Sequence, residues 1–209
     1  MIEKLHLSAI ILAAAFIWGV LLLFEGVPIS PAWFHPFSRV VGTLMILLTA
    51  FDLWIWRWPI LRGWLVKRPV LTGTWRAEVR SNWVDPATGQ TVTRAGFMVV
   101  QQTFSRLSLS LITEESRSEL LGAEISRGGD GTYRVFGVYR NEPRFAVRHR
   151  SEMHYGALEL RVAGSRPERI EGHYWTDRDT AGELTLTERK ARHAHDMASG
   201  ARLYQQGAG

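Results

Sequence analysis

The stretch Glu171 to Arg189, EGHYWTDRDTAGELTLTER, decides how this chain is read. It has the form strand, tight turn, strand. Ile170, Gly172, Tyr174 and Thr176 share one face, and Leu184 with Leu186 share a face after the turn. A period of two is what a pleated strand imposes on a half-buried sheet. Asp177, Asp179 and Gly182 interrupt the run with turn chemistry. Outward from this hairpin the same pattern repeats back to Pro69, in short alternating segments separated by turn signals. That spacing is the signature of an all-β barrel. Strands are expected near 73–81, 93–103, 105–113, 118–127, 132–140, 150–162, 169–176 and 182–189. Asp85 to Gly89 and Gly128 to Gly131 are hairpin loops by composition. At eight strands a barrel interior is either filled or holds one small ligand.

The N-terminal third has a different composition. Leu7 to Phe24 is 18 residues without a charge, and a second apolar run follows from Val40 to Trp56. A span of about 30 Å needs a helix of about that length. A signal peptide is the competing reading, but no small-residue cleavage site follows the first run. The expectation is therefore a two-helix transmembrane hairpin over 1–66, with helices at about 5–25 and 38–58, joined by a link containing Pro28, Pro31 and Pro36. Arg57, Arg62, Lys67 and Arg68 follow the second run, which by the positive-inside bias places the barrel and both termini in the cytoplasm. The expected localisation is the bacterial inner membrane, multi-pass. Asp52 lies inside the second run, where a carboxylate is costly; it either pairs near the headgroups or faces another helix along a polar path. The barrel domain is placed at 67–190. The tail, 191–209, is small and polar and is expected to be disordered.

Composition narrows the chemistry further. Cysteine is absent, which excludes disulfides and thiolate metal sites. Lys4, Lys67 and Lys190 are the only lysines among 25 basic residues, so arginine supplies nearly all the positive charge. Arginine forks suit phosphate oxygens and stack on flat rings, although an arginine excess alone names no partner. An enzyme would need a nucleophile with a base, a carboxylate pair or metal ligands. Asp177 and Asp179 beside His173 are better explained as turn residues. No catalytic residue, metal site or cofactor is expected.

Two resemblances sharpen the reading. The Gly-x-Trp at Gly73–Trp75, the Thr-Asp-Arg at Thr176–Arg178 and the last-strand Arg189 resemble the lipocalin-like closure of a small barrel, in which the arginine stacks over the tryptophan. Across nearly the whole chain the sequence also resembles the two-transmembrane, β-strand-rich effectors of bacterial cyclic-oligonucleotide anti-phage systems (CBASS). The matching stretches are PVLTGTW at 69–75, QTFSR at 102–106, TEES at 113–116, YRNEP at 139–143, MHYG at 153–156 and GHYWTDR at 172–178. The resemblance implies a membrane hairpin plus an eight-stranded lipocalin-like barrel, acting as a non-enzymatic effector. Its activating ligand would be a cyclic dinucleotide from a cognate nucleotidyltransferase (CD-NTase). Its other partners would be a lipid bilayer, which it disrupts, and further copies of itself, with no DNA or RNA polymer. Such a ligand calls for arginines toward phosphate, aromatics on bases, and amides or hydroxyls at base edges. Tyr139, Arg140, Asn141, His154, Tyr174, Thr176 and Arg178 combine these groups, and Asp52 is assigned to membrane function. The alternative is a membrane-anchored lipocalin-like barrel carrying an apolar small molecule.

Overall fold

The computed structural model describes residues 34–86, 88–149 and 151–205, with scattered positions between 12 and 26. It divides into two units, Met1–Ile55 and Trp56–Gly209. In the second unit, β1 (Gly73–Val84), β2 (Thr91–Gln102), β3 (Leu107–Thr113) and β4 (Ser116–Arg127) pair in order, followed by β5 (Tyr133–Pro143), β6 (His154–Val162), β7 (Ile170–Thr176) and β8 (Ala181–Lys190). β8 returns to β1, so the antiparallel barrel is closed and has no free edge. The turn at Asp85–Gly89 and the loop at Gly128–Gly131 join strands as their composition requires, with Gly89 and Gly131 at positive φ.

Alternation carries the core. Trp75, Met98, Val100, Leu160, Ile170 and Leu186 point inward and are all under 3% exposed. They pack one end of the barrel. There Arg189 stacks over the Trp75 ring at 5.6 Å and donates from Nη1 to the Val70 carbonyl at 2.9 Å. The Trp75 indole donates to Leu71 O at 2.9 Å. The cation–π contact contributes on the order of 1 kcal/mol. Closure depends on Gly73: it sits at φ +130, and a Cβ there would collide with the Lys190 carbonyl.

The transmembrane half of the expected fold is corrected. No helix among the described residues is long and apolar enough to cross a membrane. The second expected helix, 38–58, is a helix over Phe34–Leu53 that gives way to short 3-10 turns at Ile55–Arg57 and Pro59–Leu61. Between Arg39 and Asp52 it holds 12 uncharged residues, Val40 to Phe51. At about 1.5 Å per residue these span about 18 Å, well short of a hydrocarbon core of about 30 Å. The first expected helix, 5–25, lies mostly outside the described residues. The multi-pass inner-membrane placement, with its cytoplasmic barrel, therefore loses its basis.

The tail is also corrected. Residues 191–205 are ordered against the outer face of β1 to β3, ending in a helix over Met197–Gln205. Asp196 caps that helix: Ser199 N donates to Asp196 Oδ1 at 2.6 Å, and Asp196 N donates to Ser199 Oγ at 3.0 Å. Ala194 packs with Val99 and Ile112 outside the barrel. Tyr204 stacks on Phe97 with ring centroids 5.5 Å apart. Small and polar composition concealed a helix whose stability comes from docking rather than propensity.

Candidate functional site

One end of the barrel is filled by large apolar side chains, and the other is not. There the interior opens into a cavity of about 420 Å³, within the range of small-molecule pockets. Its inner wall is apolar, with Val79, Met98, Leu109, Leu111, Leu158 and Leu184. Toward the rim the same inward positions carry polar groups instead, because each strand's alternation continues while its residue types change.

Two tyrosines stand between these zones. Tyr139 on β5 is paired across the ladder with Gly156 on β6, and Tyr174 on β7 with Gly182 on β8. A Cβ at Gly156 would stand 2.5 Å from Tyr139 Cζ and hydroxyl, and one at Gly182 would stand 2.7 Å from Tyr174 Cε1. Each ring therefore lies against its neighbour's backbone, in space that only a glycine leaves, and both line the cavity. Burial pushes the Tyr139 hydroxyl well above its ordinary range; Tyr174 and Asp177 add to the rise and Arg178 opposes it. At physiological pH it remains a neutral hydrogen-bond donor.

The rim is a ring of amide, hydroxyl and charge. Ser118 Oγ donates to Asn141 Oδ1 at 2.8 Å. The Thr176 and Thr180 hydroxyls are 2.6 Å apart, and Arg178 N donates to Thr176 Oγ1 at 3.2 Å. That turn holds the Arg178 guanidinium against Ser151 Oγ at 3.4 Å. His154 Nδ1 lies 3.0 Å from Glu152 O, which makes Nδ1 the protonated nitrogen of a neutral ring and leaves Nε2 an acceptor. Burial lowers the His154 pKa, the bond to Glu152 opposes that, and the nearby Arg178 lowers it further. Opposite, Arg94 Nη1 pairs with Glu115 Oε2 at 2.7 Å, and both line the cavity.

Six of the residues singled out in the sequence thus converge on this cavity: Tyr139, Asn141, His154, Tyr174, Thr176 and Arg178. Arg140 is not among its lining residues; it lies between two inward positions of β5 and pairs with Glu142 at 2.6 Å. Asp52, assigned to membrane function from the sequence, is half-buried in the last turn of the helix Phe34–Leu53, in the other unit. Arg94, Glu115, Ser118 and Trp83 line the cavity and escaped the sequence reading. Parity would have found Arg94 and Trp83: Arg94 is four residues before inward Met98 on β2, and Trp83 eight after Trp75 on β1. Among the described residues no three His, Asp or Glu side chains are grouped to hold a metal ion.

The arrangement offers the rings of Trp83, Tyr139, His154 and Tyr174, two guanidinium groups and several hydrogen-bond donors and acceptors above an apolar wall. CD-NTase-associated protein 15 of Staphylococcus schleiferi is 22% identical over 158 residues, covering 76% of this chain and 81% of that protein. The family described as Cap15, cyclic dinucleotide receptor domain, matches residues 66–188. That match runs from just before the barrel into its last strand and takes in more than half of the sequence, so the chain belongs to the Cap15 cyclic dinucleotide receptor domain family.

Proposed function

We propose that this chain is a non-enzymatic CBASS effector that binds a cyclic dinucleotide in the barrel cavity and self-associates when occupied. The cognate CD-NTase supplies the ligand. The observation that carries this reading is the coincidence, in one cavity, of Tyr139 and Tyr174 with Arg94, Arg178, Asn141 and Thr176. Rings stack on bases, guanidinium forks take phosphate oxygens, and the amide and hydroxyls read base edges. Tyr139, Asn141, His154, Tyr174, Thr176 and Arg178 are the proposed contacts, joined by Arg94. Arg140, on the outer side, is left to its ion pair.

The test is thermal unfolding of the full chain with a panel of 3′–5′ cyclic dinucleotides and their linear counterparts. At a hundredfold excess over Kd, mass action stabilises the folded state by about 2.7 kcal/mol, a visible shift of the melting midpoint. At least one cyclic ligand should give that shift, linear ones less, and Arg178→Ala or Tyr139→Ala should remove it. The apolar inner wall supports a second reading, a carrier of an apolar small molecule. A shift with fatty acids and none with any cyclic dinucleotide would establish that reading in place of the first.

A further inference from the structure

The barrel end opposite the cavity carries a second concentration of charge. Five arginines gather there, and main-chain carbonyls hold four of them. Arg57 donates to Gln102 O, Arg62 to Arg57 O and Arg68 to Phe104 O, each at 2.5 Å, and Arg189 donates to Val70 O at 2.9 Å. Arg166 is the fifth, close enough to Arg62 and Arg189 to add to the lowering of both pKa values that burial causes. Every ion pair among the described residues engages other arginines: Arg76, Arg80, Arg94, Arg117, Arg134, Arg140 and Arg169. Like charges collected without an ion pair among the described residues repel, and a carbonyl dipole offsets only part of that.

A separate observation points the same way. The indole N–H of Trp56, a side chain 0% exposed, has no acceptor, and neither do the buried Nε–H groups of Arg57 and Arg62. Three orphaned donors within seven residues call for an acceptor that the described residues do not supply. A tetrahedral oxyanion meets both needs, because it brings negative charge and several oxygens suited to arginine forks.

We propose that this floor, built on Arg57, Arg62, Arg166 and Arg189, is a second anion site that binds a phosphate group independently of the cavity. The group belongs either to a free phosphate or to a phospholipid headgroup. Phosphorus NMR of inorganic phosphate titrated with the full chain measures the first, and flotation with phosphatidylglycerol against phosphatidylcholine vesicles measures the second. Arg166→Gln removes an exposed charge, and Arg62→Gln removes a half-buried one. Phosphate broadening that weakens about tenfold in both variants and persists in Arg178→Ala supports the site. Retention by phosphatidylglycerol vesicles, lost in the same two variants, assigns it to a headgroup; broadening without retention assigns it to free phosphate. The proposal is overturned by the absence of both signals, by equal signals in wild type and Arg166→Gln, or by signals that vanish in Arg178→Ala. None of these outcomes depends on whether the cavity takes a cyclic dinucleotide, since that binding is read by thermal shift with a different ligand.

Discussion

His154 shows how a single side chain reports on the cavity. Its imidazole is half-buried at the rim, with Arg178 and Asp177 as the charged groups acting on it. Because its folded pKa lies below the ordinary 6.5, the unfolded chain takes up a proton first as the pH falls. Stability contributed by the neutral ring is complete above that value and is lost as the pH drops below it, until the folded ring also protonates. The urea midpoint should therefore fall between about pH 7 and about pH 5.5, and His154→Gln should flatten that slope. An equal slope in the variant would assign the acid sensitivity to other groups. Much of the site was legible at this scale, because period two fixes which side chains share a face. The same rule excludes Arg140: its neighbours Tyr139 and Asn141 point inward, and reading the tripeptide as one cluster ignored the pleat. The Arg94–Glu115 pair is harder to see, since it joins β2 to the β3–β4 turn, and that adjacency exists only once the strands are in register.

Elements docked on the barrel matter as much as those within it. Thr74 is fully buried, and its hydroxyl donates to Arg192 O at 2.7 Å while accepting from Ala194 N at 2.9 Å. The Thr74 carbonyl accepts from the Tyr204 hydroxyl at 2.9 Å. One residue of β1 thus anchors both ends of the C-terminal segment. Arg76 and Lys190 lie 4.7 and 5.6 Å from the Tyr204 ring centroid, and burial raises the Tyr204 hydroxyl to about 12, so it stays a donor. Thr74→Val should lose about 1–3 kcal/mol, because Ala194 N–H and Arg192 C=O are left without their partner. Tyr204→Phe should lose about 1 kcal/mol. Urea unfolding with an unchanged m-value measures both, and a cost near zero for Thr74→Val would mean that the segment detaches freely. The helix start was legible in the pair Asp196 and Ser199, but its partner surface on Phe97 was not, since nothing local marks an outward phenylalanine as a docking site. The opposite error befell the second apolar run, whose hydropathy was counted through Asp52 and past Leu53.

At the scale of the whole barrel, the self-association proposed above would require the ligand to have different affinities for the free and associated states. The outer wall of β4 to β7 suggests where that difference arises. Gly122, Val138, Ala157 and Trp175 stand in register across these four strands. Val138 and Trp175 are about half exposed, as are Tyr155 and the bulged Leu121. An apolar stripe of this kind on a water-facing sheet marks an interaction surface. Its strands also carry the cavity's two tyrosines and His154: Val138 alternates with Tyr139, Tyr155 with His154, and Trp175 with Tyr174 and Thr176. A ligand that fixes the inward residues of β5 to β7 also fixes the outward ones, and reduces the ordering cost of joining a second copy through this face. Occupied wild-type chain should sediment as a larger species than the empty chain. Val138→Glu and Trp175→Glu should keep the thermal shift with ligand and lose the larger species, because a carboxylate buried against a second apolar stripe has no partner. If both variants assembled as wild type does, the stripe would have no part in self-association and the contact would belong to another face of the barrel.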